Sequence, residues 1–177
     1  MQLVPANQDS HLILGGARSG KSTYAEKLVT GYPPPHIYVA TAQALDDEMA
    51  QRIESHRQRR GRAWETVESP FDLVSTLHRL QGHSNAVLVD CLTLWLSNLL
   101  LGTPRKPLEG AVTELAAFIE VVDYPLFLVS NDVGGGIVPD NPMARRFRDL
   151  AGFANQKVAA ACTAVTMTVA GIPLRLK

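Results

Sequence analysis

The stretch Leu12-Ile13-Leu14-Gly15-Gly16-Ala17-Arg18-Ser19-Gly20-Lys21-Ser22-Thr23 decides the fold of this chain. Its apolar start is typical of a strand, and the residues that follow, 24–29, have helical character. Gly15, Gly20, Lys21 and Ser22 match the pattern G-x-x-x-x-G-K-[ST]. Glycines at these positions let consecutive backbone amides turn inward around a phosphate, and the positive end of the helix adds to the attraction. The stretch therefore predicts a strand, a phosphate loop and a helix; the alternative is a plain glycine-rich turn.

Two side chains of this stretch and one further carboxylate are candidates for the chemistry. Lys21 would act as a catalytic point charge on the β and γ phosphates, and the Ser22 hydroxyl would bind Mg²⁺. Asp90 ends the apolar run Ala86-Val87-Leu88-Val89, which is the position of a carboxylate that holds Mg²⁺ opposite the phosphate loop. A second interpretation, compatible with the first, is that Asp90 caps a helix beginning near Thr93.

Composition limits the class of protein. The chain has 177 residues, of which 46% are hydrophobic and 19% charged, so we expect a single domain spanning residues 1–177 with a short leader at 1–10. Its 17 basic and 17 acidic residues balance, so no chain-wide field favours nucleic acid or an acidic membrane. The leader does not have the pattern of a signal peptide, and polar residues interrupt the longest apolar stretch, residues 86–101. We expect a cytoplasmic protein with no membrane span, with Cys91 and Cys162 as buried free thiols.

Apolar strand-like runs alternate with helix-like segments along the chain. Strands are predicted at residues 36–42, 64–67, 86–90, 125–130 and 164–170, with 173–176 beside the last. Helices are predicted at residues 46–60, 70–80, 108–121 and 141–161, with another beginning near residue 93. This alternation predicts an α/β fold like that of the P-loop NTPases, a mostly parallel sheet with helices on both faces. The ligand crevice is expected at the carboxyl ends of the strands.

The predicted helix at residues 46–60 carries a histidine among arginines. At helical spacing His56 lies on the same side as Arg52, Arg59 and Arg60. Neighbouring positive charges disfavour the imidazolium, and a neutral imidazole can attack phosphorus. The alternative is that His56 is a solvated surface residue without a catalytic role. Periodicity does not decide between the two.

A third stretch, Ser130-Asn131-Asp132-Val133-Gly134-Gly135-Gly136-Ile137-Val138-Pro139, runs from a strand end into three glycines. Glycines there suit a mobile loop over a substrate, although a simple connection explains them almost as well. The arginines of the following helix, Arg145, Arg146 and Arg148, would either meet phosphate or be solvated, and solvation is the preferred interpretation.

These motifs, in this order, resemble the bifunctional adenosylcobinamide kinase / adenosylcobinamide-phosphate guanylyltransferase family of cobalamin biosynthesis. The resemblance runs nearly end to end, and it rests on six stretches: 15–22, 38–42 with 46–49, 52–57, 64–68, 90–93 and 133–139. Two features depart from the family pattern: Asp132 stands where Glu is usual, and the region around 103–108 is shorter than in some relatives.

The resemblance implies two reactions in one site. Members phosphorylate adenosylcobinamide and then transfer GMP from GTP to adenosylcobinamide phosphate through a guanylylated histidine, which His56 matches. It also implies a homo-oligomer, a trimer in relatives, and a GTP and Mg²⁺ requirement, with ATP possible in the kinase step. The implied nucleotide contacts are Gly15, Gly16, Ala17, Arg18, Ser19, Gly20, Lys21, Ser22, Ala40, Thr41, Ala42, Arg57, Arg60, Glu68 and Asp90.

Two other functions fit parts of the pattern. A monofunctional small-molecule kinase would use the phosphate loop and leave His56 idle. A nucleotide-dependent switch would perform no small-molecule chemistry, but the chain contains no Asn-Lys-x-Asp guanine-recognition motif.

Overall fold

The computed structural model describes residues 9–44, 47, 51, 54, 60–82, 85–102 and 107–177. In these residues seven strands form one sheet: β1 (Ser10–Gly15), β2 (His36–Ala40), β3 (Trp64–Glu68), β4 (Val87–Asp90), β5 (Leu126–Asn131), β6 (Ala164–Val169) and β7 (Ile172–Arg175). The α-helices of the described chain that extend over several residues are α1 (Lys21–Val29), α2 (Leu73–Arg79), α3 (Leu92–Leu101), α4 (Leu108–Val121) and α5 (Pro142–Ala161). A short 3₁₀ turn, Gly61–Ala63, precedes β3.

The strand order in the sheet is β3-β2-β4-β5-β1-β6-β7. All neighbouring pairs from β3 to β6 are parallel, and β7 alone runs antiparallel, as the second half of a hairpin with β6. Because parallel strands end at the same edge, the loops after β1, β2, β4 and β5 meet there. The predicted α/β P-loop fold is confirmed.

Helices cover both faces of the sheet. Successive strand residues point to opposite faces, so Leu12 joins the larger apolar cluster and Ile13 the smaller one. The larger cluster contains the apolar sides of α2, α3, α4 and α5, and the smaller one contains Ala25 and Val29 of α1. The central strands are buried on both sides, which accounts for their continuous apolar sequences.

Some element ends differ from the sequence prediction, and the reasons are hydrogen bonds to side chains. β2 ends at Ala40 and not at residue 42, because the next carbonyl, that of Thr41, accepts a bond from the Asn98 side chain. The helix predicted from Pro70 begins at Leu73, because the Pro70 carbonyl accepts a second bond from Asn98. The bounds of α4 are those predicted.

The predicted helix at residues 46–60 lies mostly outside the described residues. Its four described members, Asp47, Gln51, Glu54 and Arg60, are helical. Both cysteines are buried free thiols, as predicted. Across the described ranges, no helix is long and apolar enough to cross a membrane.

Candidate active site

The phosphate loop lies between β1 and α1, as predicted. Gly20 precedes the helix in the left-handed region, at φ 93°, and as the N-cap residue it offers the helix amides no side-chain hydrogen bond. The first amides of a helix have no partner within the helix, so those of α1 are suited to bind an anion. Lys21 is 8% exposed, and its Nζ lies 3.1 Å from the Gly16 carbonyl oxygen, so the ammonium bends back over the loop.

Gly15, the last residue of β1, packs closely against Thr168 of β6. A Cβ at this position would lie 2.8 Å from the Thr168 carbonyl oxygen and 2.5 Å from the Thr168 hydroxyl, both closer than real contacts. A Cβ at Gly16 would meet nothing within 4 Å. Gly15, the first glycine of the motif, is therefore required by close packing, whereas Gly16, at a variable position of the motif, leaves space above the loop.

A second part of the site lies at the ends of β3, β2 and β4. The register aligns Ala40 with Glu68 on one side and with Asp90 on the other. Glu68 is exposed and Asp90 is half-buried. Two of the predicted nucleotide contacts thus flank the end of β2, at the same edge of the sheet as the phosphate loop.

Tyr38 connects Asp90 with Arg60. It is buried, it lies close enough to Asp90 for that carboxylate to raise its pKa, and the Arg60 guanidinium carbon lies 3.4 Å from its ring centroid. Burial, and after it the Asp90 charge, raise the pKa of Tyr38, so the phenol stays protonated and remains a donor. The buried Nη1 of Arg60 has no hydrogen-bond partner among the described residues. A buried donor without a partner favours binding of an anionic or carbonyl oxygen that can accept its hydrogen bond.

Thr41 ties the end of β2 to the residue after Asp90. Its hydroxyl is buried, donates to the Cys91 carbonyl at 2.8 Å and accepts from the Cys91 amide at 2.8 Å. Its amide donates to the Asp90 carbonyl and its carbonyl accepts from Asn98. Thr41 therefore fixes the backbone beside Asp90; the nucleotide contact of Ala40-Thr41-Ala42 stays a prediction.

The charges of Asp90 and Lys21 both act on the Cys91 thiol. Burial, and after it the Asp90 carboxylate, raise the pKa of Cys91 to about 11, and the Lys21 ammonium opposes these effects. A carboxylate and an ammonium thus both lie close enough to influence one buried group. Cys91, and not Asp90, occupies the N-cap position of α3, so the helix-cap interpretation of Asp90 loses its support.

The donor set fits Mg²⁺. Ser22 lies half-buried in the first turn of α1 and Asp90 half-buried at the end of β4, and both offer oxygen. The described residues contain no cluster of three or more His, Cys, Asp or Glu side chains that could hold a metal. Mg²⁺ beside a triphosphate needs only one or two protein oxygens and keeps several waters, so these two residues suffice as a donor set.

The glycine-rich stretch after β5 forms an irregular loop held to α5. The Arg148 Nη2 donates to the Gly134 carbonyl at 3.0 Å, and the Arg145 Nη1 donates to the Pro139 and Asp140 carbonyls at 2.8 and 2.6 Å. Arg146 is exposed, as the solvated interpretation expects. Two of the three arginines, Arg145 and Arg148, therefore hold this loop. Neither of the two interpretations from the sequence, phosphate binding or solvation, predicted this arrangement.

Several predicted residues lie outside the described part of the chain. These are His56, its neighbours Arg52, Arg57 and Arg59, and residues 103–106 of the region around 103–108. The structure adds Tyr38, Asn98 and Thr168, which sequence reasoning missed. Each acts through a contact between residues far apart in the chain, for which a single sequence carries no local signal.

A glycine loop on β1, a lysine at the start of α1 and a carboxylate at the end of β4 define a nucleotide-binding protein of the P-loop class. Solved structures agree on this fold. The flagellar accessory protein FlaH of Methanocaldococcus jannaschii matches with a TM-score of 0.53 at 13% identity, covering 96% of this chain and 78% of that one. A solved ATPase domain matches with a TM-score of 0.52 at 11% identity, covering 90% of this chain and 68% of that one.

Sequence comparison then gives the family. Residues 11–176 match the model of the cobinamide kinase / cobinamide phosphate guanyltransferase family, to which this chain belongs. It is 46% identical to the bifunctional adenosylcobalamin biosynthesis protein CobP of Pseudomonas aeruginosa, over 94% of this chain and 96% of that protein. It is 41% identical to the bifunctional protein CobU of Escherichia coli, over 94% and 98%. The chain is therefore an enzyme, and the predicted resemblance is confirmed.

Proposed function

We propose that this enzyme phosphorylates adenosylcobinamide with a nucleoside triphosphate, and that it transfers GMP from GTP to adenosylcobinamide phosphate through a guanylylated His56. The product is adenosylcobinamide-GDP. The observation that carries the proposal is that Lys21, bent back over the phosphate loop, and the Asp90 carboxylate both lie near Cys91, in a chain of this family.

In the kinase step the hydroxyl of adenosylcobinamide attacks the γ-phosphorus in line with the leaving nucleoside diphosphate. Lys21 and the amides of the phosphate loop stabilise the negative charge that develops on the phosphoryl oxygens. Mg²⁺, when bound by Ser22 and Asp90, would supply further charge neutralisation. Electrostatic stabilisation of this kind supplies most of the acceleration in phosphoryl transfer.

In the transferase step a ring nitrogen of His56 forms a bond to the α-phosphorus of GTP as the bond to pyrophosphate breaks. A phosphate oxygen of adenosylcobinamide phosphate then attacks the same phosphorus, the nitrogen–phosphorus bond breaks, and the imidazole is restored. The covalent intermediate divides one difficult displacement into two easier ones.

Arg60 supports the assignment of the nucleophile. It follows His56 by four positions, so chain length alone keeps the two Cα atoms within about 14 Å. Arg60 itself is fixed against Tyr38, next to Asp90, and carries a buried donor without a partner in the described chain. The segment that bears His56 is thus tethered to the site at this end.

The experiment is His56→Asn, assayed with GTP labelled at the α-phosphate. We expect the wild type to acquire an acid-labile, base-stable label that the variant lacks, while the variant keeps most of its kinase activity, because only guanylyl transfer needs a nitrogen nucleophile. The matched control is His78→Asn, an exposed histidine on α2, which should label normally.

Other outcomes separate the alternatives. A His56→Asn variant that labels normally would place the nucleophile elsewhere. Kinase activity without any label in the wild type would favour a monofunctional kinase. GTP hydrolysis that no corrinoid affects would favour a nucleotide-dependent switch.

A further inference from the structure

The C-terminal hairpin, formed by β6 and β7, lies against the phosphate loop. β6 is the neighbour of β1, and its register places Thr168 beside Gly15. Ala170 and Gly171 join β6 to β7 with φ of 51° and 80°, the conformation of a tight two-residue hairpin turn. This turn brings the Gly171 Cα within 3.1 Å of the place where a Cβ of Gly20 would lie.

Three hydrogen bonds link the hairpin to the phosphate loop. The Thr168 hydroxyl donates to the Leu14 carbonyl at 3.1 Å. A hydroxyl has one hydrogen, so the 2.8 Å contact between Ser19 and Thr168 must be donated by the Ser19 hydroxyl. The Gly171 amide donates to the Ser19 carbonyl at 2.9 Å. Ser19 is thus held at its side chain and at its backbone by residues about 150 positions later in the chain.

Because these hydrogen bonds are buried, they help to fix the position of the loop. Thr168 is 1% exposed and Ser19 is 8% exposed, so water does not replace the bonds easily. Ser19 stands immediately before Gly20 and Lys21, whose backbone starts α1. A change in the Ser19 position therefore moves the amides that receive the phosphates.

We propose that Thr168 is a positioning residue for the nucleotide: its hydroxyl, together with the Gly171 amide, holds Ser19 so that the phosphate loop keeps its binding shape before the nucleotide arrives. A loop ordered in advance loses less conformational freedom on binding, and this raises affinity. The inference rests on the proposed function only in that the loop binds a triphosphate. It does not depend on which reaction follows.

The experiment compares Thr168→Val with Thr166→Val in equilibrium binding of GTP with Mg²⁺. Thr166 is a matched control: it lies two residues earlier on β6, is 2% exposed, and its hydroxyl lies 2.8 Å from the His11 ring, away from the loop. Both variants lose a buried hydroxyl and should lower Tm similarly. Only Thr168→Val should weaken GTP binding, by about tenfold, the usual worth of one hydrogen bond.

Two further variants test that the effect passes through Ser19. Thr168→Ser keeps the hydroxyl and should restore most of the affinity. Ser19→Ala removes the other side of the bond, and in a double-mutant cycle the Ser19→Ala/Thr168→Val combination should lose little more affinity than either single change. KM for GTP should rise in the same order as the dissociation constants.

Three results would overturn the proposal: wild-type affinity in Thr168→Val, equal weakening in Thr166→Val, or full additivity in the cycle. None of these would contradict the proposed function. A wild-type protein that does not bind GTP would overturn both.

Discussion

Two loops leave neighbouring strands side by side and differ in how they are held. The phosphate loop follows β1 and the glycine-rich loop follows β5, with Gly15 aligned to Asn131. In the first, Ser19 and Lys21 are each 8% exposed; in the second, Ile137 is 97% exposed. A Cβ on Gly15 would clash with β6, whereas a Cβ on Gly135 would meet nothing within 4 Å. Packing against β6 fixes the backbone of the phosphate loop, whereas the other loop is fixed mainly through arginines from α5.

The largest effect is expected from Lys21→Ala in the packed loop. It should lower the rates of both kinase and guanylyl transfer by about a hundred- to a thousandfold, because an electrostatic stabiliser is lost at the phosphates. Steady-state assays of both reactions measure it. Lys27→Ala, in the last turn of the same helix, is the control and should be unaffected. Retention of either activity in Lys21→Ala would contradict a single triphosphate site.

Gly15→Ala should have the next largest effect. The added methyl group overlaps the Thr168 backbone, and overpacking of this kind destabilises a protein by about 1–3 kcal/mol. For a chain of this size the corresponding fall in Tm is about 2–12 °C. Thermal unfolding measures it, and Gly16→Ala, in open space one residue later, should change Tm by much less. Equal shifts in the two variants would show that close packing does not distinguish the two glycines.

The smallest effect is expected from Gly135→Ala in the open loop. The backbone there is not in the left-handed region and the methyl group has space, so restricting the unfolded chain should leave stability unchanged or raise it by about 0.4–1 kcal/mol. Thermal unfolding and both activities should be measured together. A loss of activity above about tenfold, or 1.4 kcal/mol, with unchanged Tm would show that this loop needs the freedom of glycine during the reaction, contrary to the comparison.

Sequence reasoning succeeded where the signal is local. The phosphate loop is a run of consecutive residues, and the bounds of α4 follow from its own apolar periodicity, so both were predicted correctly. The continuous apolar runs of the central strands indicated a sheet covered on both faces for the same reason. Each of these patterns is complete within a short run of neighbouring residues.

Sequence reasoning failed where the role of a residue depends on a partner far away in the chain. The Asn98 side chain bonds carbonyls of Thr41 and Pro70, and these bonds shift the ends of two predicted elements. Arg145 and Arg148 looked like phosphate ligands or solvated charges, but they bond backbone carbonyls of a loop that their helix packs beside. No spacing rule reports such pairs, because the fold sets which residues meet.

The position of β1 between β5 and β6 has a consequence for the order of events during synthesis. Ser19 of the phosphate loop is translated 149 residues before Thr168, and the strands that flank β1, which are β5 and β6, also follow the loop in the chain. At about 5–20 residues per second, roughly seven to thirty seconds pass between the two. A nascent chain therefore carries the complete motif before it carries the groups that hold the loop, and the hydrogen bonds from Thr168 and Gly171 to Ser19 form only after β6 and the turn that follows it have been translated.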